Sequence, residues 1–316
     1  MIRRNIKWPV IYINNYWGDS MKVDLKGIMP ALVTPFRENK RLDKTALRNL
    51  VKFNLKKGVD GFYVGGSSSE AFLLPLEKRK RILKIVLEGV EDINKNIIFH
   101  VGCIGTDMAI QLAKHAEEYE GVDAISSVPP FYYDFSLEEV KNYYLEIINS
   151  VNLPMVIYNY PDISDISINQ PGIKELLNHE KVVGVKHTSH NLYQLERMKT
   201  QHKNLTVFNG YDEMFLAGLS MGADGGIGST YNFMAEKFIK IKKAYEAKEL
   251  SSAQKLQSEA NDVIEVLSEI GVYQGIKYIL KLIGIDCQNS LSPFKPLTDR
   301  EKLYLEKIAE TKLQII

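Results

Sequence analysis

Cysteine is scarce. The 316-residue chain has two, Cys103 and Cys287, far apart. That excludes a disulfide-stapled framework and fits a reducing compartment, so a cytoplasmic setting is expected. Net charge is almost absent too, with 40 basic against 39 acidic residues. Such a balance leaves no electrostatic footprint for nucleic acid or an acidic membrane. The densest run, "EKRKR" (Glu77 to Arg81), reads as the solvated face of a helix near its start. Metal-ligand spacings are missing. There is no CxxC or HExxH, and His100, His115, His179, His187, His190 and His202 are scattered, so no metal site is expected.

No apolar run reaches the ~20 residues that span a bilayer. The first 20 residues open with an Arg pair and "WPVIYI". They imitate a signal peptide, but the apolar part is short, is interrupted by Pro9 and lacks a small-residue cleavage site. A second methionine, Met21, stands just before a strand-like segment. Residues 1–24 are therefore expected to be an extension outside the fold. No Pro/Gly-rich linker or low-complexity tract divides the remainder.

What the chain does have is a soluble balance of 45% hydrophobic and 25% charged residues, ample for a large core. Eight short β-branched or aromatic runs recur: "GIMPALVTPF" (27–36), "GFYVGG" (61–66), "NIIFHVG" (96–102), "AISSVPP" (124–130), "PMVIYN" (154–159), "VVGVKHT" (182–188), "TVFNG" (206–210) and "GGIGST" (225–230). Helical periods fill the gaps. Leu47, Leu50, Val51 and Leu55 form one stripe that ends in Gly58. Ser136 and Glu139 form a capping box. Alternating strands and helices predict an α/β fold, a parallel (β/α)8 TIM barrel over residues 25–232. Beyond that the pattern is only helical, so residues 233–316 are read as the eighth barrel helix plus a C-terminal helical extension.

Such barrels place their chemistry at the C-terminal ends of the strands, and those ends are polar here. "VVGVKHTSH" sets Lys186 inside an apolar strand. Alternation points Lys186 inward with Gly184 and Thr188, Gly184 leaving room below it, while Val183 and Val185 face the helices. A desolvated lysine loses its proton readily and can attack a carbonyl carbon, giving a Schiff base. The bland alternatives are a lysine paired to a barrel carboxylate or one reaching to the rim. Tyr158, on the neighbouring strand, is either a proton relay or a core tyrosine with its hydroxyl satisfied. "GGSSSE" offers N–H groups and hydroxyls for a carboxylate or phosphate, or is simply a loop. "DGGIGST" leaves a phosphosugar isomerase or aldolase open on spacing alone.

Taken together, "GIMPALVTPF", "GFYVGGSSSEAF", "PPFYYDFS", "VIYNYP", "GVKHTS", "FNGYDEMFLAG" and "GADGGIGSTYN" resemble the N-acetylneuraminate lyase family. That family sits within the pyruvate-dependent class I aldolases that include dihydrodipicolinate synthase. The resemblance runs from about Lys26 to the C-terminal helices. It implies a homotetramer that reversibly cleaves N-acetylneuraminate (sialic acid) to N-acetyl-D-mannosamine and pyruvate, with no cofactor beyond the lysine imine. It casts Lys186 as the Schiff-base lysine and Tyr158 as the catalytic tyrosine. Tyr132 is the tyrosine that reaches a neighbouring subunit's site. Ser67 and Ser68 hold the substrate carboxylate. Thr188, Gly210, Asp212, Glu213 and Ser229 hold the sugar chain, and Tyr273 packs near the acetamido group.

The synthases carry an arginine shortly after "YN-x-P"; Ile163 stands there instead, and with "GYDE" and "GSTYN" this favours a polyhydroxylated substrate. Three features depart from the family pattern. Ser69 replaces a glycine, which would strain the turn if that position needs φ > 0. His190 and Asn191 replace Gly-Asp, and residues 1–20 have no counterpart. The alternatives are a related aldolase or synthase acting on another aldehyde, or a barrel that binds a keto acid or sugar without turnover.

Overall fold

The computed structural model describes residues 24–90, 95–162 and 171–313. The expected N-terminal extension, apart from Asp24, and Ile163 lie outside them. Eight strands, β1 (Gly27–Pro30), β2 (Gly61–Val64), β3 (Asn96–His100), β4 (Ala124–Ser127), β5 (Met155–Asn159), β6 (Val182–His187), β7 (Thr206–Asn209) and β8 (Gly225–Gly228), pair in parallel in the order β1-β8-β7-β6-β5-β4-β3-β2. A bridge between Ala31 and Tyr63 closes the seam from β1 to β2. There Leu32 N donates to the Tyr63 carbonyl at 3.0 Å, and Asp60 N to the Ile28 carbonyl at 3.0 Å. The α/β barrel is as expected.

The strands alternate their burden. Met29, Tyr63, Ile98, Val156, Phe208 and Ile227 fill the barrel interior. Phe62, Ile97, Phe99, Ile125, Ile157, Val185 and Val207 face the helices, α1 (Lys44–Lys57), α2 (Leu76–Gly89), α3 (Thr106–Glu117), α4 (Leu137–Asn149), α5 (Pro171–Leu176), α6 (Leu192–Gln201), α7 (Phe215–Ser220) and α8 (Tyr231–Glu246). The local signals behave as their chemistry requires. Asp43 caps α1, and Gly58 ends it at φ 84°, a conformation cheap only for glycine. The Ser136–Glu139 capping box is formed.

Simple alternation fails in one place. Met155 pairs with Val182 but Val156 pairs with Gly184, so β6 carries one extra residue. This bulge turns Val183 against the interior cluster, not the helices. Gly184 does not make room for the lysine either. A Cβ there would lie 2.7 Å from the Thr206 carbonyl, so glycine lets β6 approach β7 at the bulge.

Three further helices follow, α9 (Leu250–Ile270), α10 (Val272–Leu282) and α11 (Asp299–Ile308). Among the described residues no helix is long and apolar enough to cross a membrane. Both cysteines are buried and free.

Candidate active site

Lys186 stands at the C-terminal end of β6 and is 5% exposed, so it does not reach to the rim. Its Nζ lies 4.2 Å from the centroid of the Tyr158 ring and 4.5 Å from that of Tyr63. Ring faces attract a cation, but removal from water disfavours the charge more. Burial pushes the amine down to about 7, with the Asp212 carboxylate opposing. No carboxylate among the described residues is within ion-pair range of it.

Tyr158 is the residue that pairs with Lys186 across the β5–β6 ladder. Burial pushes its phenol up to about 12, while the hydroxyls of Thr188 and Ser67 beside it pull the other way. Neither hydroxyl closes a well-formed hydrogen bond: Ser67 Oγ and Thr188 Oγ1 are buried without a partner. Unpaired buried hydroxyls are costly unless something else satisfies them. Two unpaired hydroxyls thus flank one phenol, which stands beside an amine that burial pushes down. The Tyr63 hydroxyl pairs with Ser126 Oγ at 3.0 Å, and the Tyr63 ring meets Tyr158 edge-on at 6.1 Å.

The polar turn after β2 folds as a 3-10 turn, Ser67–Ser69. Ser68 Oγ and Ser229 Oγ lie 2.6 Å apart, which joins the turns after β2 and β8. The expected strain at Ser69 is absent. Ser69 lies in the right-handed turn and its Oγ donates to the Leu32 carbonyl at 2.7 Å. The left-handed residue is Glu70, at φ 58°. Its carboxylate is fully buried, pairs with Lys277 of α10, and accepts from Leu291 N. The left-handed position is thus one residue later than expected.

At the far side, Asp212 opens a 3-10 turn, Asp212–Met214, after β7. Asp212 Oδ2 accepts from Thr230 N at 2.8 Å and Thr230 Oγ1 at 2.6 Å. Burial still raises this carboxyl to about 6. Glu213 follows, half-buried. Gly210 is required by proximity, since a Cβ would lie 1.9 Å from Thr188 Oγ1. Tyr273, on α10, packs edge-on against Phe294 at 5.5 Å. Its phenol is pushed up by burial and then by Tyr158, Tyr160 and Glu70. It therefore shares the mouth of the barrel with Tyr158.

The two unfamiliar residues after the lysine also have places. His190 stacks on Tyr211 at 4.6 Å, and the Tyr211 hydroxyl donates to Asp162 at 2.7 Å. Asn191 caps α6 by accepting from Gln194 N at 3.2 Å, and its carbonyl accepts from His187 Nε2 at 3.0 Å.

Lys186, Tyr158, Ser67, Ser68, Thr188, Gly210, Asp212, Ser229 and Tyr273 are thus gathered at one end of the barrel. Tyr132 is not among them. It is 83% exposed, at φ 84°, on the loop after β4, in edge contact with Tyr133. Among the described residues no group of His, Cys, Asp and Glu could hold a metal ion.

Some supporting residues are not evident from motifs. The "EKRKR" run is not wholly solvated: Arg79 is 2% exposed. It donates to the carbonyls of His100 at 2.7 Å and Gly102 at 3.0 Å, tying α2 to the end of β3. Its spacing carried a signal, since positions 79, 82, 83 and 86 share one helix face. Glu70, Lys277, Thr230, Gln257 and Asn261 likewise stand behind the site.

A model of the dihydrodipicolinate synthetase family matches residues 24–312. The chain is 43% identical over 296 residues to the N-acetylneuraminate lyase of Escherichia coli (strain SMS-3-5 / SECEC), a match spanning 93% of this chain and 99% of that protein. CdNal from Clostridium difficile, solved in complex with mannosamine, superposes with a TM-score of 0.88 at 36% identity, covering 92% of this chain and all (100%) of that one. The N-acetylneuraminate lyase of Fusobacterium nucleatum, solved complexed with pyruvate, gives 0.86 at 34% identity, covering 91% and 97%.

Proposed function

The chain belongs to the dihydrodipicolinate synthetase family, and on that premise we propose that it is a Schiff-base aldolase of sialic acid. It reversibly cleaves N-acetylneuraminate to N-acetyl-D-mannosamine and pyruvate. The observation that carries this reading is the pairing of Lys186, lowered to about 7, with Tyr158 on the adjacent strand. The near-full-length likeness to N-acetylneuraminate lyases supports the choice of substrate.

The proposed mechanism uses these groups in turn. Ser67, Ser68 and nearby N–H groups hold the carboxylate of the open-chain keto acid. A neutral Lys186 attacks C2, and loss of water leaves the imine. The imine draws electrons from the C3–C4 bond. As that bond breaks, the C4 hydroxyl loses its proton, an aldehyde leaves and an enamine remains. Tyr158 rests as a phenol, being pushed up to about 12. It therefore acts as a relay, taking the C4 proton while passing its own to the substrate carboxylate. Protonation of the enamine at C3 and hydrolysis of the imine release pyruvate and restore the amine. The electron sink is the imine itself, so the reaction asks for no further cofactor.

Thr188, Gly210, Asp212, Glu213 and Ser229 are assigned to the sugar hydroxyls, with Tyr273 near the acetamido group. Tyr132 is assigned to the site of a neighbouring copy in a homotetramer. Its exposure supports this, and so do the exposed apolar side chains on the same end of the barrel: Phe72, Leu73, Ile104, Met108 and Tyr133. Two buried free thiols support a reducing, cytoplasmic setting.

The test is pyruvate release from N-acetylneuraminate, coupled to lactate dehydrogenase, with Lys186→Ala alongside. The wild type should release pyruvate and the folded variant should not. Borohydride in the presence of pyruvate should label Lys186. Turnover by Lys186→Ala would sink the assignment.

A further inference from the structure

Gln257 is a polar residue on the buried stripe of α9, in line with Ala253, Ala260 and Ile264. Its amide reaches the turn after β7, the start of α7 and its own helix. Its Oε1 accepts from Leu216 N at 2.9 Å. Its Nε2 donates to the Asp212 carbonyl at 3.1 Å and to Asn261 Oδ1 at 2.8 Å. Asn261, one helical turn on, donates its Nδ2 to the Glu213 carbonyl at 3.2 Å. Two side chains of the C-terminal extension therefore grip the main chain of both carboxylate residues assigned to the sugar. The Asp212 side chain is fixed separately, by Thr230. What α9 adds is the position of the backbone beneath it.

We propose that Gln257 and Asn261 are positioning residues for the sugar-holding end of the site, acting through Asp212 and Glu213. This rests on the aldolase reading above. The keto-acid end is built on β5, β6 and the turn after β2, and none of these four bonds touches it. Misplacing a substrate-holding group by about 1 Å can lower the rate by up to roughly 10²-fold. The role is separable from folding for a physical reason. Gln257, Asn261 and Glu213 line an open groove of about 540 Å³ on the outer side of this turn. Water can enter there and hydrate the freed Asp212 carbonyl and Leu216 N–H, so losing the amide relaxes the turn without leaving it dry and unpaired.

The experiment compares wild type, Gln257→Met and Asn261→Ala. It measures KM and kcat for pyruvate release from N-acetylneuraminate, and the rate of borohydride trapping of pyruvate on Lys186. Gln257→Met should raise KM by roughly tenfold, the equivalent of one lost hydrogen bond, with the trapping rate unchanged. Asn261→Ala should move KM the same way by less. An unchanged KM in Gln257→Met, or KM and trapping failing together, overturns the positioning role. If Gln257→Met does not fold, Asn261→Ala carries the same comparison from a half-buried position, and an unchanged KM there overturns it. A wild type that releases no pyruvate overturns the aldolase reading and this role with it. An active wild type beside an unaltered variant overturns the role alone.

Discussion

The surroundings of Lys186 work against its ordinary charged state. Between its folded value of about 7 and the usual lysine value of 10.5, the unfolded chain holds a proton that the folded chain does not. Stability therefore rises with pH across that window, because the unfolded state binds more protons. Lys186→Met removes the penalty. It should stabilise the protein at pH 7 by about 4 kcal/mol, and the advantage should shrink toward zero as pH approaches 10.5. Denaturant midpoints for both proteins at pH 7, 8.5 and 10 give the comparison. A constant difference would mean that Lys186 is not held neutral. The same titration sets the acid limb of catalysis: kcat/KM should fall as pH drops through about 7, because the protonated amine is no nucleophile.

At the scale of the element, the decisive feature is how distant segments brace short turns. Glu70 and Lys277 are 207 positions apart and almost fully buried. They tie the turn that carries Ser67 and Ser68 to α10. Removing one member of a buried pair leaves the other as an uncompensated charge. Lys277→Met should lower stability by about 3–5 kcal/mol, and Glu70→Gln/Lys277→Met should recover most of the loss. Chemical denaturation of the three proteins tests this; a double variant as unstable as the single one would show that the charges are not the issue.

Much at this scale is legible in the sequence. β-branched runs mark where each strand begins, and the lysine in the sixth run marks the proposed site. The strand ends are less legible, because Gly, Ser and Pro continue an apolar run after the ladder has stopped: the second run reads to Gly66, but β2 closes at Val64. The bulge at Val183 is invisible, since it depends on the β5 register. Arg79 and Gln257 hide for another reason. A polar residue on an apolar stripe announces burial, but its partners are mostly main-chain groups that no motif records. The misplaced strain at Ser69 shows the converse, since a motif fixes which residues recur and not which one takes the left-handed conformation.

At the scale of the whole molecule, Tyr132 stands apart from the groups gathered at the barrel mouth. Tyr132 adopts a left-handed conformation and points away from its own barrel, 83% exposed. Such a backbone is costly for a tyrosine, and within one chain the exposed ring gains an edge contact with Tyr133. The arrangement makes sense if the phenol completes a proton relay in a neighbouring copy, across an isologous interface where each partner gives what it receives. That supposition has a consequence no single-chain role shares. Tyr132→Phe and Lys186→Ala should each be impaired when pure, the first because its relay lacks a hydroxyl, the second because it cannot form the imine. Unfolded together and refolded as a mixture, half of the pairs are mixed. In each mixed pair one site has both an intact Lys186 and an intact Tyr132 from its partner. Pyruvate release should then rise to about a quarter of the wild-type rate. If Tyr132 serves its own chain, every site in the mixture lacks one group or the other, and mixing restores nothing.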